Sequence, residues 1–266
     1  MTPEEITATA ARLFDAELSQ IQIGAISSAY PDVTMENAYA IQAAFVAAKE
    51  AGGAARRGWK IGLTSRAMQM ALGIDIPDSG VLFDDMFFDH GATVPLGRFI
   101  EPRVEAEIAF IMGDDLSGVN CTRDAVLAAT NWVVPALEIL DTRILRVDPE
   151  SGLPRKVFDT IADNAANAGI VLGQKKHSPD VFDLRWVGAV VARDGSVEET
   201  GLGAGVLNDP VMGIVWLVQR LAKYGQRVSR GDVVLSGSFI RPIEAPSGSV
   251  FAADYGAFGC VDITFE

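Results

Sequence analysis

The run Val104-Glu105-Ala106-Glu107-Ile108-Ala109-Phe110 sets the architecture of this chain, because apolar and acidic residues alternate in it. Alternation with a period of two predicts a β-strand with one buried face. The apolar residues at even positions would face the core. Glu105 and Glu107 would share the opposite face, about 7 Å apart. The sequence therefore predicts a core strand that carries two carboxylates on its second face.

A third carboxylate, Glu138, lies in another apolar run, Trp132-Val133-Val134-Pro135-Ala136-Leu137-Glu138-Ile139-Leu140. Carboxylates are rarely buried unless they are paired or coordinated. Three of them in apolar strands favour a bound cation, and ligation by oxygen alone suits Mg²⁺ or Mn²⁺. The alternative is a solvated strand face for the first two residues and a capping role for Glu138, and the residues alone leave both interpretations open.

Composition places the chain among ordinary soluble globular proteins, and it predicts one large domain with an appendage. The 266 residues are 49% hydrophobic and 21% charged. A net charge of −13 argues against nucleic acid as a partner, since phosphate binding requires a basic surface. It does not argue against a small anionic substrate, because a metal and a few local cations can reverse the field inside a cleft.

Cysteine, histidine and hydropathy patterns narrow the class further. Cys121 and Cys260 lie far apart without metal-ligand spacing, and this is typical of a cytoplasmic enzyme with reduced thiols. His90 and His177 lie in polar, loop-like stretches, so a histidine triad or a zinc site is not expected. No run approaches the ~20 apolar residues of a membrane-spanning helix, and the acidic N-terminus lacks signal-peptide features. A membrane partner is therefore not expected either.

The order of elements predicts an α+β fold, with a helical N-terminal part packed on a mixed, rolled β-sheet core. Thr2 and Thr34 precede two helical patterns as N-caps, and the second pattern ends at Gly52-Gly53. Further helices are predicted from Thr122 and from Asn208-Asp209-Pro210 to Gly225. Strands are predicted at 104–112, 132–141, 168–172, 184–193, 232–236, 249–254 and 259–265. The domain boundary would divide 1–75, helical and including a lid segment, from 76–266, the β-rich catalytic core.

Other residues could contribute chemistry, each with an ordinary structural alternative. Lys60 lies in an apolar strand and is either an acid or base or a lysine that reaches the surface. Asp78 is catalytic or part of a turn. Arg155 or Lys156 could receive a carboxylate or begin a solvated helix. Ser238 could offer its hydroxyl to an anion or belong to a plain turn.

Several segments together resemble the fumarylacetoacetate-hydrolase-related hydratases and decarboxylases of aromatic meta-cleavage pathways. The resemblance extends over nearly the whole chain, and the long run 155–169 is its most specific part. Within that family the match narrows to hydratases of homoprotocatechuate breakdown. The chain departs from the family pattern at 72–76, at Ser79 in place of a tyrosine and at Ala162 in place of a serine. The segments that carry the resemblance are Lys60-Ile61-Gly62-Leu63-Thr64-Ser65, the Glu105/Glu107 strand with Glu138, Leu82-Phe83-Asp84-Asp85-Met86-Phe87-Phe88, Arg155-Lys156-Val157-Phe158-Asp159-Thr160-Ile161-Ala162-Asp163-Asn164-Ala165-Ala166-Asn167-Ala168-Gly169 and Ser238-Phe239-Ile240-Arg241-Pro242.

The resemblance implies a metal-dependent hydro-lyase that adds water to a 2-hydroxyhepta-2,4-diene-1,7-dioate. It implies Glu105, Glu107 and Glu138 as ligands of Mg²⁺, with Mn²⁺ able to substitute. Lys60 and Asp78 become acid/base residues beneath a lid. The distal carboxylate of the substrate needs a cation, for which Arg66, Arg155 and Lys156 are candidates. Relatives also imply a homo-oligomer.

Four other functions remain open at this point. Two belong to the same superfamily: a 2-oxo-hex-3-ene-1,6-dioate decarboxylase and a 2-hydroxypentadienoate hydratase. An acylpyruvate C–C hydrolase would need a base to activate water, and the chain lacks a well-placed histidine for it. A non-catalytic protein with a structural cation is disfavoured by Lys60, Asp78 and the lid.

Overall fold

The computed structural model describes residues 1–66, 69–70, 74 and 76–266. Its helices within these ranges are α1 Pro3–Ser19, α2 Ile26–Ala29, α3 Met35–Ala51, α4 Arg123–Ala129, α5 Val157–Ala162 and α6 Pro210–Ala222. The strands are β1 Arg56–Gly62, β2 Asp78–Phe83, β3 Phe87–Phe88, β4 Thr93–Val94, β5 Arg103–Met112, β6 Thr130–Leu140, β7 Asn167–Leu172, β8 Gly188–Arg193, β9 Ser196–Leu202, β10 Val233–Leu235, β11 Ile243–Glu244, β12 Val250–Asp254 and β13 Cys260–Phe265. In the described ranges no helix has the length and apolarity that a bilayer crossing requires.

The strands form two mixed sheets. The larger has the order β2-β1-β10-β5-β6-β7-β3, with β11 paired to β5, and the smaller has the order β4-β13-β12-β8-β9. Parallel pairs, such as β1 with β10, occur beside antiparallel pairs, such as β5 with β6. Helices occupy the N-terminal part, so the predicted α+β class with a mixed sheet is confirmed.

Local sequence explains the two long N-terminal helices. The Thr2 hydroxyl accepts a hydrogen bond from the Glu5 N–H, and the Thr2 N–H donates one to the Glu5 carboxylate. Thr34 and Asn37 make the same reciprocal pair at the start of α3. Each capping box satisfies N–H groups that the helix itself leaves open. Both predicted helix starts are confirmed.

The alternation along β5 also has the predicted consequence. Val104, Ala106, Ile108 and Phe110 are fully buried in the main hydrophobic core. A second core, built around Leu13, Ile41 and Phe45, lies under α1 and α3. It includes Ile144 and Ile161, so the N-terminal helices pack on segments that come much later in the chain.

The structure contains strands that the sequence prediction lacks, β2, β3, β4, β9 and β11, and two further details differ. The strand predicted at 184–193 is shorter, because Leu184–Trp186 form a 3₁₀ turn and β8 begins only at Gly188. The sequence predicts a turn or a catalytic role for Asp78 and no strand at this position, whereas Asp78 is the first residue of β2. The domain boundary between 75 and 76 stays a prediction. β1, which precedes it, hydrogen-bonds into the larger sheet.

Candidate metal centre and active-site pocket

The pairing of β5 with β6 brings the three predicted carboxylates together. Glu105 lies directly opposite Glu138, and Glu107 lies opposite Ala136. Carboxylate oxygens of the three glutamates lie within 4.8 Å of one another. Like charges directly opposite each other in a sheet are destabilising without a compensating cation.

The chemistry of this group fits a divalent cation. Glu107 and Glu138 are fully buried, and one oxygen of each, Glu107 Oε1 and Glu138 Oε2, has no hydrogen-bond partner among the described residues. Burial, followed by the Glu138 charge, raises the pKa of Glu105 to about 8. Burial and both neighbouring carboxylates raise the pKa of Glu107 well above its ordinary value. Buried oxygens without donors and mutually repelling charges are what a bound cation would relieve.

The other oxygens of these carboxylates are held in place. The Gly237 N–H donates to Glu107 Oε2 at 2.7 Å, and Asn167 Nδ2 donates to Glu138 Oε1 at 2.8 Å. The Tyr255 hydroxyl accepts from the Glu107 N–H at 3.1 Å and donates to the Ala136 carbonyl at 2.6 Å, which ties β5 to β6 at this point. Such outer contacts orient metal-binding groups and fix which oxygen stays free.

Lys60 lies beside the carboxylates. Its side chain extends from β1, is almost fully buried, and places Nζ 3.2 Å from Glu138 Oε1. Nζ also donates to the Ala165 carbonyl at 3.0 Å. Burial alone would lower the pKa of Lys60, but the surrounding carboxylates, Glu138 first, raise it above the ordinary lysine value.

Asp78 is the second predicted acid/base residue, and the structure places it opposite Gly62 on the neighbouring strand. It is buried, and its Oδ1 has no hydrogen-bond partner in the described part of the chain. Burial raises the pKa of Asp78, and the Lys60 ammonium opposes that rise only in part. A carboxylate with a raised pKa and a free oxygen is a stronger proton acceptor than an ordinary aspartate.

Both residues line a pocket of about 400 Å³ with Glu105. Ser238 and Arg155 also line it, so the structure brings these predicted residues to the same cavity. Arg66 and Lys156 are exposed and are not among its lining residues. Of the segment 72–76 that departs from the family pattern, residues 72, 73 and 75 lie outside the described residues. Ser79 is buried in β2, where its carbonyl accepts from Gln42 Nε2 at 2.8 Å.

The sequence reasoning missed three arginines in the pocket wall, Arg103, Arg146 and Arg241. The signal for Arg103 was available, because it precedes Glu105 by one strand repeat. Arg146 reaches the pocket through a turn that the sequence does not reveal.

The run 159–167 makes hydrogen bonds and an ion pair that position the elements of this site. Asn164 bonds the backbone of Val81 on β2 through both its amide oxygen and its amide nitrogen, at 2.8 and 2.9 Å. Asp163 forms a buried ion pair with Arg143, whose Nη1 donates to the Asn167 carbonyl at 3.1 Å. The polar residues in this run therefore hold β2, Lys60 and Glu138 in register.

A second cluster with ligand-type side chains, His90, Cys260 and Asp262, is poorly suited to a metal. The Asp262 N–H donates to His90 Nδ1 at 3.1 Å. The neutral ring therefore carries its proton on Nε2, and neither nitrogen presents a free lone pair.

Comparison with known proteins places this geometry in a family. The sequence profile described as fumarylacetoacetate (FAA) hydrolase C-terminal matches residues 56–264. The chain belongs to the fumarylacetoacetate hydrolase family. Membership confirms the resemblance inferred from the sequence and the fold type that it implied.

Relatives within the fumarylacetoacetate hydrolase family are enzymes. The chain is 50% identical over 259 residues to 2-oxo-hept-4-ene-1,7-dioate hydratase of Escherichia coli, covering 97% of each chain. It is 38% identical over 266 residues to 2-keto-4-pentenoate hydratase of Paraburkholderia xenovorans (strain LB400), covering 100% of this chain and 97% of the relative.

A solved structure of the same family agrees closely with the fold. 4-Oxalocrotonate decarboxylase from Pseudomonas putida G7, complexed with magnesium and adipate, superposes with a TM-score of 0.93 at 30% identity, covering 100% of this chain and 99% of that one. Another structure of that decarboxylase holds calcium and acetate. Together with the three-carboxylate group, these findings support a divalent cation as the cofactor of this enzyme.

Proposed function

We propose that the protein is a divalent-metal-dependent hydratase that converts 2-oxo-hept-4-ene-1,7-dioate, or its 2-hydroxy-2,4-diene form, to 4-hydroxy-2-oxoheptane-1,7-dioate. The observation that carries the proposal is the 50% identity, over 97% of both chains, to a hydratase named for that substrate. The pocket supports it, because it combines a carboxylate group suited to a cation with acid/base residues and several arginines.

Glu105, Glu107 and Glu138 would hold the cation. When bound, the cation would act as a Lewis acid that polarises the 2-oxo group of the substrate. The three carboxylates together overcompensate the cation, so the neighbouring Lys60 ammonium helps to balance the charge at 3.2 Å from Glu138.

Lys60 would move the first proton. The double bond moves into conjugation with the ketone when C5 gains a proton and C3, or the 2-hydroxyl of the dienol, loses one. The Lys60 ammonium would give its proton to C5, and the neutral amine left behind would take the proton that the substrate loses. Lys60 is the titratable group anchored at the carboxylates, and its hydrogen bond to the Ala165 carbonyl fixes the direction of Nζ. Because the position of Nζ is fixed, it can exchange protons with both C3 and C5 only if the bound substrate places both carbons within its reach.

Asp78 would activate the water. In the second step the water oxygen bonds to C4, Asp78 takes the proton of that water, and a proton returns to C3. The raised pKa of Asp78 and its free Oδ1 suit this role.

A decarboxylase is the second candidate, and the structural match favours it. The TM-score of 0.93 relates this chain to an enzyme that removes carbon dioxide from a 2-oxo dicarboxylate. Both reactions pass through an enolate at C2 and C3, so the same carboxylates and the same lysine would serve either.

The decisive assay uses purified enzyme, Mg²⁺ and 2-hydroxyhepta-2,4-diene-1,7-dioate, with the product identified by mass. Gain of one water that is abolished by EDTA and restored by Mg²⁺ supports the hydratase. Loss of carbon dioxide from 2-oxo-hex-3-ene-1,6-dioate in a parallel reaction, measured in the headspace, supports the decarboxylase. Glu107→Gln should reduce kcat by at least ~10³-fold, since it removes an oxygen ligand from the site. Glu50→Gln, an exposed carboxylate paired with Arg56, is the matched control.

We infer Mg²⁺ as the working ion, with Mn²⁺ able to replace it, since both accept ligation by oxygen alone. Measuring the activity after chelation, and again after readdition of one metal at a time, tests whether the enzyme prefers Mg²⁺ to Mn²⁺. The homo-oligomer and the cytoplasmic location are further proposals that follow from the sequence. Sedimentation of the purified protein tests the first and cell fractionation tests the second.

A further inference from the structure

Arg103 shares a strand face with two of the three carboxylates. Arg103, Glu105 and Glu107 alternate along β5, so their side chains leave the same side of the strand. One strand repeat is about 7 Å. An extended seven-carbon chain, with six carbon–carbon bonds of about 1.5 Å, spans about 7.5 Å between its carboxyl carbons. The spacing of positions 103 and 105 along the strand is therefore comparable with the length of the proposed substrate.

Arg146 and Arg155 reach the same pocket from a turn. The Arg155 N–H donates to the Arg146 carbonyl at 2.9 Å, and Val147 forms an isolated antiparallel bridge with Pro154. Both arginine side chains line the pocket with Arg103. Backbone pairing thus holds two guanidinium groups near each other, and like charges in such an arrangement favour an anion between or beside them.

Two of these arginines form ion pairs with carboxylates that are exposed to solvent. Arg103 pairs with Glu244 at 3.0 Å, and that carboxylate is 73% exposed. Arg146 pairs with Glu101 at 3.3 Å, and that carboxylate is 54% exposed. Exposed ion pairs contribute little free energy, so both guanidinium groups can exchange these partners for a substrate carboxylate at little cost.

Arg155 is under the influence of the Asp163 and Asp159 charges, which favour its charged form. It donates to the Thr142 hydroxyl, and among the described residues it makes no ion pair with a carboxylate. The pKa of Arg146 is lowered by burial and then by the charge of Arg103. The three arginines therefore form a cluster of cations in the wall of the pocket, opposed by Glu244, Glu101, Asp163 and Asp159.

The other cations of the pocket are already engaged or exposed. Lys60 is bound to Glu138 and to the Ala165 carbonyl. Arg241 is 80% exposed and pairs with Glu199 at 2.5 Å. Arg103 and Arg146 also border a neighbouring cavity of about 650 Å³, so they stand at the boundary between the two cavities.

We propose that Arg103 and Arg146, beside Arg155, bind the second carboxylate of the substrate and select a dicarboxylate over a monocarboxylate of the same length. The inference rests on the proposed function, because it assumes that the 1-carboxylate and the 2-oxo group lie at the three glutamates. It also names Arg103 and Arg146 as the residues that would make the enzyme prefer a heptenedioate to a pentadienoate.

The test measures binding of two unreactive ligands by calorimetry in the presence of Mg²⁺. 2-Oxoheptanedioate and 2-oxoheptanoate have the same chain and differ only in the distal carboxylate. Wild-type protein should bind the dicarboxylate about 10- to 100-fold more tightly, the effect of one charge-assisted contact. Arg103→Gln and Arg146→Gln should each lose most of that preference and bind the monocarboxylate as wild type does.

Arg193→Gln is the matched control. The Arg193 side chain is 28% exposed, against 30% for Arg103, and it pairs with Glu198 at 2.7 Å outside the pocket. Arg193 also donates to the Glu244 carbonyl, so Arg193→Gln shows the effect of losing a contact to β11 without losing a pocket arginine. This variant should keep the full dicarboxylate preference.

Two results would overturn the inference: equal affinity of wild type for both ligands, or equal weakening of both ligands in the arginine variants. Failure of the proposed reaction gives a different signature. In that case wild type would not add water to the dienoate, while the dicarboxylate preference and its loss in Arg103→Gln would persist.

Discussion

At the scale of single residues, Gly62 determines whether the two acid/base side chains can meet. A Cβ at Gly62 would lie 2.2 Å from Asp78 Oδ1 and 3.2 Å from Lys60 Nζ. Side-chain carbons do not approach a carboxylate oxygen so closely. The absence of a side chain at this position therefore makes room for the Asp78 carboxylate beside Lys60.

Gly62→Ala should lower kcat by about 10²-fold, because displacement of a catalytic group by about 1 Å has a cost of that order. The fold should survive, since a carboxylate can rotate away from the new methyl group. Gly24→Ala is the control, because a Cβ there meets nothing within 4 Å. Steady-state kinetics and thermal melts of both variants check this. A Gly62→Ala enzyme with wild-type kcat would contradict the steric role.

At the residue scale, burial could be predicted where a charged residue lies within an apolar run of the sequence. Glu138 is conspicuous inside Trp132–Leu140, and its burial follows from its neighbours. Arg146 could not be found in this way, because its place in the pocket depends on a bridge between Val147 and Pro154 that no local pattern encodes.

At the scale of elements, the turn Asn164–Ala166 is strained. All three residues have positive φ, at 50°, 54° and 56°, although none is glycine. Each left-handed residue with a Cβ costs about 1–2 kcal/mol. The turn directs the Ala165 carbonyl at Lys60 and the Asn164 amide at β2, so the strain coincides with contacts that position the site.

Ala166→Gly should change the free energy of unfolding by less than about 0.5 kcal/mol or increase it, because glycine removes the left-handed penalty and offsets the lost methyl burial. Ala162→Gly is the matched control: Ala162 is equally buried but lies in α5. It should destabilise by about 1–2 kcal/mol, from the backbone freedom of glycine in a helix and the loss of a buried methyl group together. Urea unfolding of both variants gives the comparison, and equal losses would show that the turn is not strained.

Elements with a clear period or cap were predictable, and short or unusual ones were not. β5 and the capped starts of α1 and α3 carry their signals within a few residues. β2 was obscured by Pro77 and Gly80, which are typical of a turn. β3, β4 and β11 each have two residues and exist only because a neighbouring strand pairs with them.

Another element-scale contact joins α1 to α3. Glu17 on α1 lies 2.5 Å from Lys49 Nζ on α3 and 3.6 Å from Arg143 Nη1. Burial would raise the pKa of Glu17, but Arg143 and Lys49 outweigh it and lower the pKa. A lowered folded-state pKa means that the stabilisation is present above the unfolded value of about 4.3 and is lost as the pH falls through the folded value.

Glu17→Gln should therefore reduce the free energy of unfolding by about 1–3 kcal/mol at neutral pH, since it removes the carboxylate that two buried cations share and leaves Arg143 with Asp163 and Lys49 with the more distant Asp85. The deficit should shrink as the pH falls below about 4.3. Glu50→Gln, which breaks an exposed pair with Arg56, should cost less than about 0.5 kcal/mol at either pH. Urea unfolding at neutral and acidic pH checks both. A deficit for Glu17→Gln that does not depend on pH would contradict the assignment.

At the scale of the whole molecule, the carboxylate group links cation binding to stability. The chain has a net charge of −13, and three of its carboxylates converge in the interior of the larger sheet. Without a cation their repulsion opposes folding. A ligand that binds only the folded state stabilises it by about 2.7 kcal/mol at one hundred times its Kd.

Saturating Mg²⁺ should therefore raise the Tm of the chelator-treated protein by about 5 to 10 °C. In Glu107→Gln the rise should vanish, and the metal-free variant should be at least as stable as metal-free wild type. Glutamine removes one of the repelling charges and can still accept the Gly237 N–H that now reaches Glu107 Oε2 at 2.7 Å. Calorimetric melts with EDTA and with Mg²⁺ separate the cases. If Glu107 served only as a hydrogen-bond acceptor for Gly237, Mg²⁺ would stabilise variant and wild type equally, because the effect would not depend on its charge.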